Sequence, residues 1–483
     1  MKTNLLLFIC LSIFTSCFTS CVKTEYATIY VTTSDKEKTM QAEVVKFIAN
    51  APASGNSITL YPEEKYQEMD GFGAAMTGSS CYNLLKMTPE NRAAILKETF
   101  DPKDGYGYSY IRISIGASDF SLDEYTYCDT PGIENFAMHE YDIRDLYPIL
   151  KEIKAINPGV KIMASPWTCP KWMKVNNLEE LKPFDSWTSG QLNPKYYQDY
   201  ATYFVKYIQA MNAEGFAIDA ITIQNEPLNR GNSASLFMTW QEQRDFIKVL
   251  GPAFEQNDIK TKIIAYDHNY NYDNRKPDTQ DQGQYPLRIY EDAEAAKYIE
   301  GAAYHAYGGD RSELLRIHNA RPDKGLYFTE MSIGLWGDGY TFESDLMWNM
   351  KEVCIGTINN FNKAVIMWNY MLDDKHGPDR PGGCNICLGC IDIDSKDYAT
   401  MVKNSHYYTM AHLSKVIHPG AYRIRSEGQT VEELNYSAFE NPDGTYSLVL
   451  LNESQTPQDV SVILNGRSFI YTVPQRAVIS CIW

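Results

Sequence analysis

Eight short apolar runs, each separated from the next by a longer amphipathic stretch, constrain this chain more than any other feature of its sequence. They are Met69–Gly73, Tyr110–Ile115, Lys161–Trp167, Ala220–Glu226, Lys262–His268, Ala302–Tyr307, Leu326–Glu330 and Ala364–Tyr370. Strand-length runs that alternate with helical ones are the sign of a parallel sheet with crossover helices, and eight such units close a (β/α)8 barrel. The helices carry their own punctuation. Thr88-Pro89-Glu90 caps one, and Asn193-Pro194 opens another that continues through Tyr200, Phe204, Ile208 and Met211. Thr239–Phe254 and Phe342–Ile358 read as two further amphipathic helices.

The flanks have a different texture. Tyr26–Thr32 and Ser57–Tyr61 alternate as half-buried strands do, and the turns Asn441-Pro-Asp-Gly444 and Asn465-Gly466 mark two hairpins. The expected architecture is therefore a (β/α)8 TIM barrel with a flanking, antiparallel β-sandwich formed from N- and C-terminal segments. The expected divisions are 1–21 for an export signal with lipobox, 22–66 for N-terminal sandwich strands, 67–419 for the barrel and 420–483 for the C-terminal sandwich.

The first of these divisions rests on Lys2, on the apolar run Leu5–Phe14, too short to span a bilayer, and on two small-residue sites ending in Cys17 and Cys21. These sites resemble the lipobox of bacterial lipoproteins. The expectation is an exported protein, lipid-anchored to the bacterial envelope at the cell surface or the periplasmic face of the outer membrane, touching the membrane by that anchor alone. Cys384, Cys387 and Cys390 are spaced like metal ligands, but Asp394 stands where a fourth cysteine would, and no second pair completes a zinc site. They read as loop cysteines, free or in one local disulfide.

A net charge of -17 repels polyanions, which excludes nucleic acid as a partner and suits a neutral substrate. Gly71-Phe-Gly73 lacks the third glycine and the downstream acid of a dinucleotide loop. Functional groups of a (β/α)8 barrel gather where its strands end, and here two runs end in a single glutamate, Glu226 and Glu330. Two carboxylates facing each other at roughly 5 Å can cleave a glycosidic bond by double displacement, one as proton donor and the other as nucleophile. The charge of the neighbouring carboxylate is expected to raise the proton affinity of the acid, so that it starts protonated near neutral pH.

Several stretches then carry a resemblance: Asp70-Gly-Phe-Gly-Ala-Ala-Met76, Ala117-Ser-Asp-Phe-Ser121, Ala164-Ser-Pro-Trp-Thr168, Gln224-Asn-Glu-Pro227, Tyr266-Asp-His-Asn269, Thr329-Glu330 and Met367-Trp-Asn369. Their content and order resemble glycoside hydrolase family 30, which includes glucosylceramidases and β-1,6-glucanases. The resemblance implies that Glu226 is the acid/base and Glu330 the nucleophile. It implies that Asn225 holds the sugar 2-hydroxyl, that Asp119, Trp167 and Trp368 line the first glycone subsite, and that His305 and Tyr307 hydrogen-bond around the nucleophile. Arg112 corresponds to a buried arginine that supports the nucleophile, although a barrel-bottom ion pair would suit it equally. No metal or other cofactor is implied.

The chain departs from the family pattern at Ala74, Gly78, Met331-Ser332 and the loop 377–390. Among the family's activities, endo-acting hydrolysis of a neutral β-1,6-glucan fits an anchored bacterial enzyme. The alternatives are an exo-acting β-glucosidase or glucosylceramidase-like enzyme, with β-xylanase and β-fucosidase as lesser options. From a different class comes a non-catalytic carbohydrate-binding lipoprotein.

Overall fold

The computed structural model describes residues 25–49, 55–270 and 282–483. The segment expected as an export signal, with Cys17 and Cys21, lies outside them. The eight barrel strands are β1 (Gly71–Ala74), β2 (Tyr110–Ile115), β3 (Lys161–Pro166), β4 (Ala220–Thr222), β5 (Lys262–Asn269), β6 (Ile299–His305), β7 (Gly325–Glu330) and β8 (Asn362–Met367). They form one parallel sheet in the order β1-β8-β7-β6-β5-β4-β3-β2. The ends of this sheet meet through a parallel bridge between Ala75 and Arg112, closing the barrel. Gly73 permits the approach, because a Cβ there would lie 2.1 Å from the Tyr110 carbonyl oxygen.

Several strands differ from their expected extents: the first begins at Gly71 and the eighth is Asn362–Met367. The run ending in Glu226 is extended only through Thr222, and the sixth strand begins at Ile299 and ends at His305. The chain after β4 leaves strand geometry while keeping cross-barrel bonds. Asn225 N donates to Pro166 O at 2.8 Å, and Glu226 N donates to Asp267 O at 2.9 Å.

The interior is packed. Tyr110, Met163, Ile264, Tyr327 and Ile366 interleave with Ala220, Ala303 and Ala364 in one fully buried cluster, a mixture of large and small side chains that fills a barrel. At the end opposite the strand tips, Asp70 sits among Lys161 (2.6 Å), Lys363 (3.5 Å) and Lys262 (3.8 Å). Burial works against its charge, yet the three lysines hold its carboxyl below the usual carboxylate range.

The helices start where the sequence places their caps. Thr88 accepts a hydrogen bond from Asn91 N at the head of Pro89–Phe100, and Thr239 forms a capping box with Glu242 at the head of Trp240–Gln256. Asn193 caps a short 3₁₀ turn, Pro194–Tyr196, which runs into the helix Tyr197–Ala213. The segment expected as one helix from Phe342 to Ile358 is instead an α-helix, Phe342–Trp348, a π-helix, Asn349–Ile355, and a final turn, Gly356–Asn359.

Strands from both flanks join a single ten-stranded sheet. This sheet curls so that its two edges meet, where Tyr471 OH donates to Glu43 Oε2 at 2.9 Å. Ile29, Leu60, Leu448, Val462 and Phe469 pack inside the curl. One pair departs from the expected antiparallel arrangement: Gln458–Leu464 runs parallel to Asn56–Glu68. No hairpin turn joins these two strands, so no turn dictates their relative direction. His412, on the helix Ser405–Val416, links barrel and sandwich by bonding Ser480 Oγ (2.9 Å) and Thr32 Oγ1 (2.8 Å).

Candidate active site

The strand tips bring Glu226 and Glu330 to one cavity of about 510 Å³ at the barrel mouth. Glu330 is the last residue of β7 and pairs in register with His305, the last residue of β6. Glu226 is held at φ 45°, and Tyr266 and Asp267 on β5 are both at φ 72°. Three side-chain-bearing residues in the left-handed region at one site concentrate backbone strain where the chemistry is.

Arg112 organises the floor of this cavity. Fully buried on β2, it donates from Nη1 to Glu330 Oε2 (2.6 Å) and from Nη2 to Asp267 Oδ2 (2.8 Å) and Asn225 Oδ1 (2.7 Å). It therefore supports Glu330 at the mouth, and the barrel-bottom role belongs to Asp70. Tyr307 OH donates to the other Glu330 oxygen at 3.2 Å. Glu226 has its own neighbours: Asn229 Nδ2 donates to its Oε2 at 2.7 Å, and Asn232 Nδ2 does so at 3.2 Å.

His305 stands between the two carboxylates. Its Nδ1 is 3.1 Å from Glu226 Oε1 and 3.8 Å from Glu330 Oε1, so those oxygens are under about 7 Å apart, which rules out most of the inverting range of about 6.5–9.5 Å. The other ring nitrogen, Nε2, is 3.0 Å from Asp267 Oδ1. Burial disfavours a charged imidazole, but the Glu330 charge and the hydrogen bonds with Asp267 and Glu226 raise its pKa to about 10.

The distribution of protons differs from the sequence-based expectation. Burial alone would raise the proton affinity of Glu226, yet the His305 hydrogen bond and the His268 and His305 charges bring its carboxyl down to about 2. Burial raises Glu330, and the Glu226 charge adds to it against the opposing pull of His305 and Arg112. The two carboxylates are thus unequally surrounded: imidazole groups stabilise charge on Glu226, and burial beside that charge works against charge on Glu330. The expectation weighed only carboxylate against carboxylate, whereas the fold places an imidazolium on Glu226.

The other expected residues fall into two shells. Asp119, Tyr307 and Trp368 line the cavity. Trp167 is buried against Trp368, ring centroids 5.1 Å apart and planes 25° from parallel, with the Arg112 guanidinium over both indoles. Asn225 commits its Oδ1 to Arg112, so its remaining capacity is the donating NH2 group. Asp119 Oδ1 has no hydrogen-bond partner among the described residues. Burial and the charges of Glu330 and Glu226 push its carboxyl well above the ordinary range.

Asp267 was not among the expected site residues, yet it accepts bonds from Arg112, Thr222 Oγ1 (2.6 Å) and Thr329 Oγ1 (2.6 Å) besides its contact with His305. Its signals were its place near the end of the fifth apolar run, Lys262–His268, and in the motif Tyr266-Asp-His-Asn269. Asn229, Asn232, Trp336 and Trp348 also border the cavity without having been anticipated. Glu226, His268 and His305 bring potential metal-ligating atoms within 4.8 Å of one another. Both ring nitrogens of His305 already contact carboxylates, which accounts for its position without an ion. Cys384 and Cys387 form a disulfide, and Cys390 is a buried free thiol.

A (β/α)8 barrel whose strand tips converge two glutamates on one cavity is the ground plan of an enzyme that hydrolyses glycosidic bonds. Residues 69–417 match the glycosyl hydrolase family 30 TIM-barrel domain, and residues 420–481 match the family's β-sandwich domain. The chain belongs to glycosyl hydrolase family 30. It is 28% identical to mouse (Mus musculus) lysosomal acid glucosylceramidase over 92% of this chain and 86% of that protein. It is 30% identical to an endo-1,6-β-D-glucanase of Trichoderma harzianum, over 85% of this chain and 83% of the fungal one. A solved structure of an endo-β1,6-glucanase superposes with a TM-score of 0.91 at 56% identity, covering 95% of this chain and 99% of that one.

Proposed function

We propose that this glycoside hydrolase is a retaining endo-β-1,6-glucanase in which Glu330 attacks the anomeric carbon and Glu226 serves as acid and then base. The observation that carries the reading is the shared His305 Nδ1, which keeps the two carboxylates within the reach of a double displacement. The substrate assignment draws support from the 56% identical endo-β1,6-glucanase structure and the 30% identical fungal enzyme.

Attack requires Glu330 ionised and Glu226 protonated. Arg112 and Tyr307 hold the ionised Glu330 in place, and His305 Nδ1 stands between the two carboxylates, 3.1 Å from Glu226 and 3.8 Å from Glu330. The protonated Glu226 gives its proton to the leaving oxygen while Glu330 forms the glycosyl ester. Glu226 then takes a proton from water as that water cleaves the ester. Asp119 and Trp368 meet the sugar, one through hydroxyls and the other through its apolar face.

Incubation with a linear β-1,6-glucan tests this. A ladder of intermediate oligosaccharides in the early products is the expected result. Glucose alone would overturn the endo mode, and no cleavage would overturn the substrate.

His305 gives a pH prediction. Its positive charge favours ionised Glu330, so removing it raises Glu330 further, and the active ionised form then requires a higher pH. For His305→Gln, the acid limb of kcat/KM is expected to move up by about one pH unit and the maximum to fall about 10- to 100-fold. A pH profile with an unmoved acid limb would remove His305 from this role.

We also infer export and lipid anchoring at Cys17 or Cys21. The Cys384–Cys387 disulfide suits an oxidising compartment. Among the described residues no helix is long and apolar enough to cross a membrane. Palmitate labelling that persists in a variant lacking both cysteines would refute the anchor.

A further inference from the structure

The proposed chemistry leaves unused four residues that also line the cavity, Trp336, Trp348, Cys384 and Cys387. The two indoles are 41% and 42% exposed, although apolar side chains of that size are ordinarily covered. Scattered exposed aromatics are common on protein surfaces, but these two border the same cavity as Glu226 and Glu330.

Each adjoins a hydrogen-bonded element. Trp336 lies six residues beyond Glu330, on a segment whose Ile333 and Gly334 pair antiparallel with Leu388 and Cys387. Leu335 N extends that ribbon by donating to Ile386 O at 2.9 Å. The indole lies directly against Gly334, where a Cβ would come within 2.3 Å of the ring. Trp348 ends the helix Phe342–Trp348 at the point where it passes into the π-helix, and π segments are frequent at functional sites.

The disulfide loop joins the Trp336 segment to the glycone side. Cys387 belongs to the ribbon that carries Trp336, while Arg380 N donates to Asp119 O at 2.8 Å. Gly383 packs so closely on Asp119 that a Cβ would lie 3.0 Å from its carbonyl oxygen. One loop therefore fixes the spacing between Asp119 and Trp336.

Resting on the glucanase reading above, we propose that Trp336 and Trp348 form a second sugar-binding platform. It takes a glucosyl unit other than the one attacked, and the Cys384–Cys387 loop is its positioning element. An indole face receives the C–H face of a pyranose, and it tolerates the loose geometry of a 1,6-linkage better than a set of fixed hydrogen bonds would. The platform gives the enzyme its preference for longer chains.

The test is kcat/KM of the full enzyme on β-1,6-linked glucose oligomers of two to six units. The parent is expected to gain activity with length. Trp336→Ala and Trp348→Ala should each lose about tenfold on the hexamer, carried by KM, and far less on the dimer. Trp336→Tyr should restore most of that loss. Cys384→Ser combined with Cys387→Ser should raise the hexamer KM in the same direction. Both tryptophans are partly exposed, so thermal midpoints should stay near the parent's and separate a binding effect from misfolding.

If the double tryptophan variant keeps the parent's dependence on chain length, the platform is wrong. A parent inactive on every oligomer would instead overturn the substrate reading and, with it, this assignment.

Discussion

Glu330→Gln is expected to lower kcat by about 10⁵-fold while leaving the fold intact, because it removes the nucleophile and keeps the side chain's shape. Glu226→Gln should cost less, about 10²- to 10⁴-fold on a substrate with a poor leaving group, and little in the first step when the leaving group is a nitrophenolate that needs no proton. Azide separates the two roles. In Glu330→Ala it attacks in place of the missing carboxylate and yields the α-glycosyl azide. In Glu226→Ala it attacks the glycosyl ester and yields the β-anomer. Exchange of these two products would reverse the assignment, and parent-like hydrolysis by Glu330→Gln would end it.

Arg112→Met carries the second large effect. The substitution strands two buried carboxylates, Asp267 and Glu330, that the guanidinium now contacts at 2.8 and 2.6 Å. Removing one partner of a buried ion pair costs about 3–5 kcal/mol, so in a chain of this length the thermal midpoint should fall by about 3–5 °C. The Arg112 charge also lowers the proton affinity of Glu330, so its loss should push the acid limb of kcat/KM to higher pH. Arg112→Lys keeps the charge but cannot reach Glu330, Asp267 and Asn225 together from one ammonium, and should recover part of the stability with little of the rate. A midpoint within a degree or two of the parent for Arg112→Met would contradict this account.

The barrel was legible in the sequence because its evidence is periodic: each strand is a short apolar run that stands out from a helix on either side. Glu226 and Glu330 were legible for the same reason, each being a lone acid at the end of such a run. The share of the site that depends on backbone irregularity was hidden. Asp267 reaches Arg112 and His305 from a left-handed residue that propensity gives no reason to expect. Trp348 sits at an α-to-π transition, and π turns leave almost no trace in hydrophobic spacing. The imidazole beside Glu226 was hidden as well, because His305 lies 79 positions away and meets it only in the closed barrel. The parallel pair in the sandwich escaped for a related reason, since it unites strands from opposite ends of the chain.

That union has an effect on how the molecule comes into being. Tyr26–Thr33 pairs with Gln41–Lys46 on one side and with Ala477–Ile482 on the other. During synthesis the early hairpin is thus made first and completed last, its outer backbone groups open until the opposite end of the polypeptide emerges. Bare strand edges recruit foreign partners. The nascent protein therefore carries a sticky seam throughout its manufacture, and slow translation or a truncated product should aggregate through that seam even when the barrel between has folded.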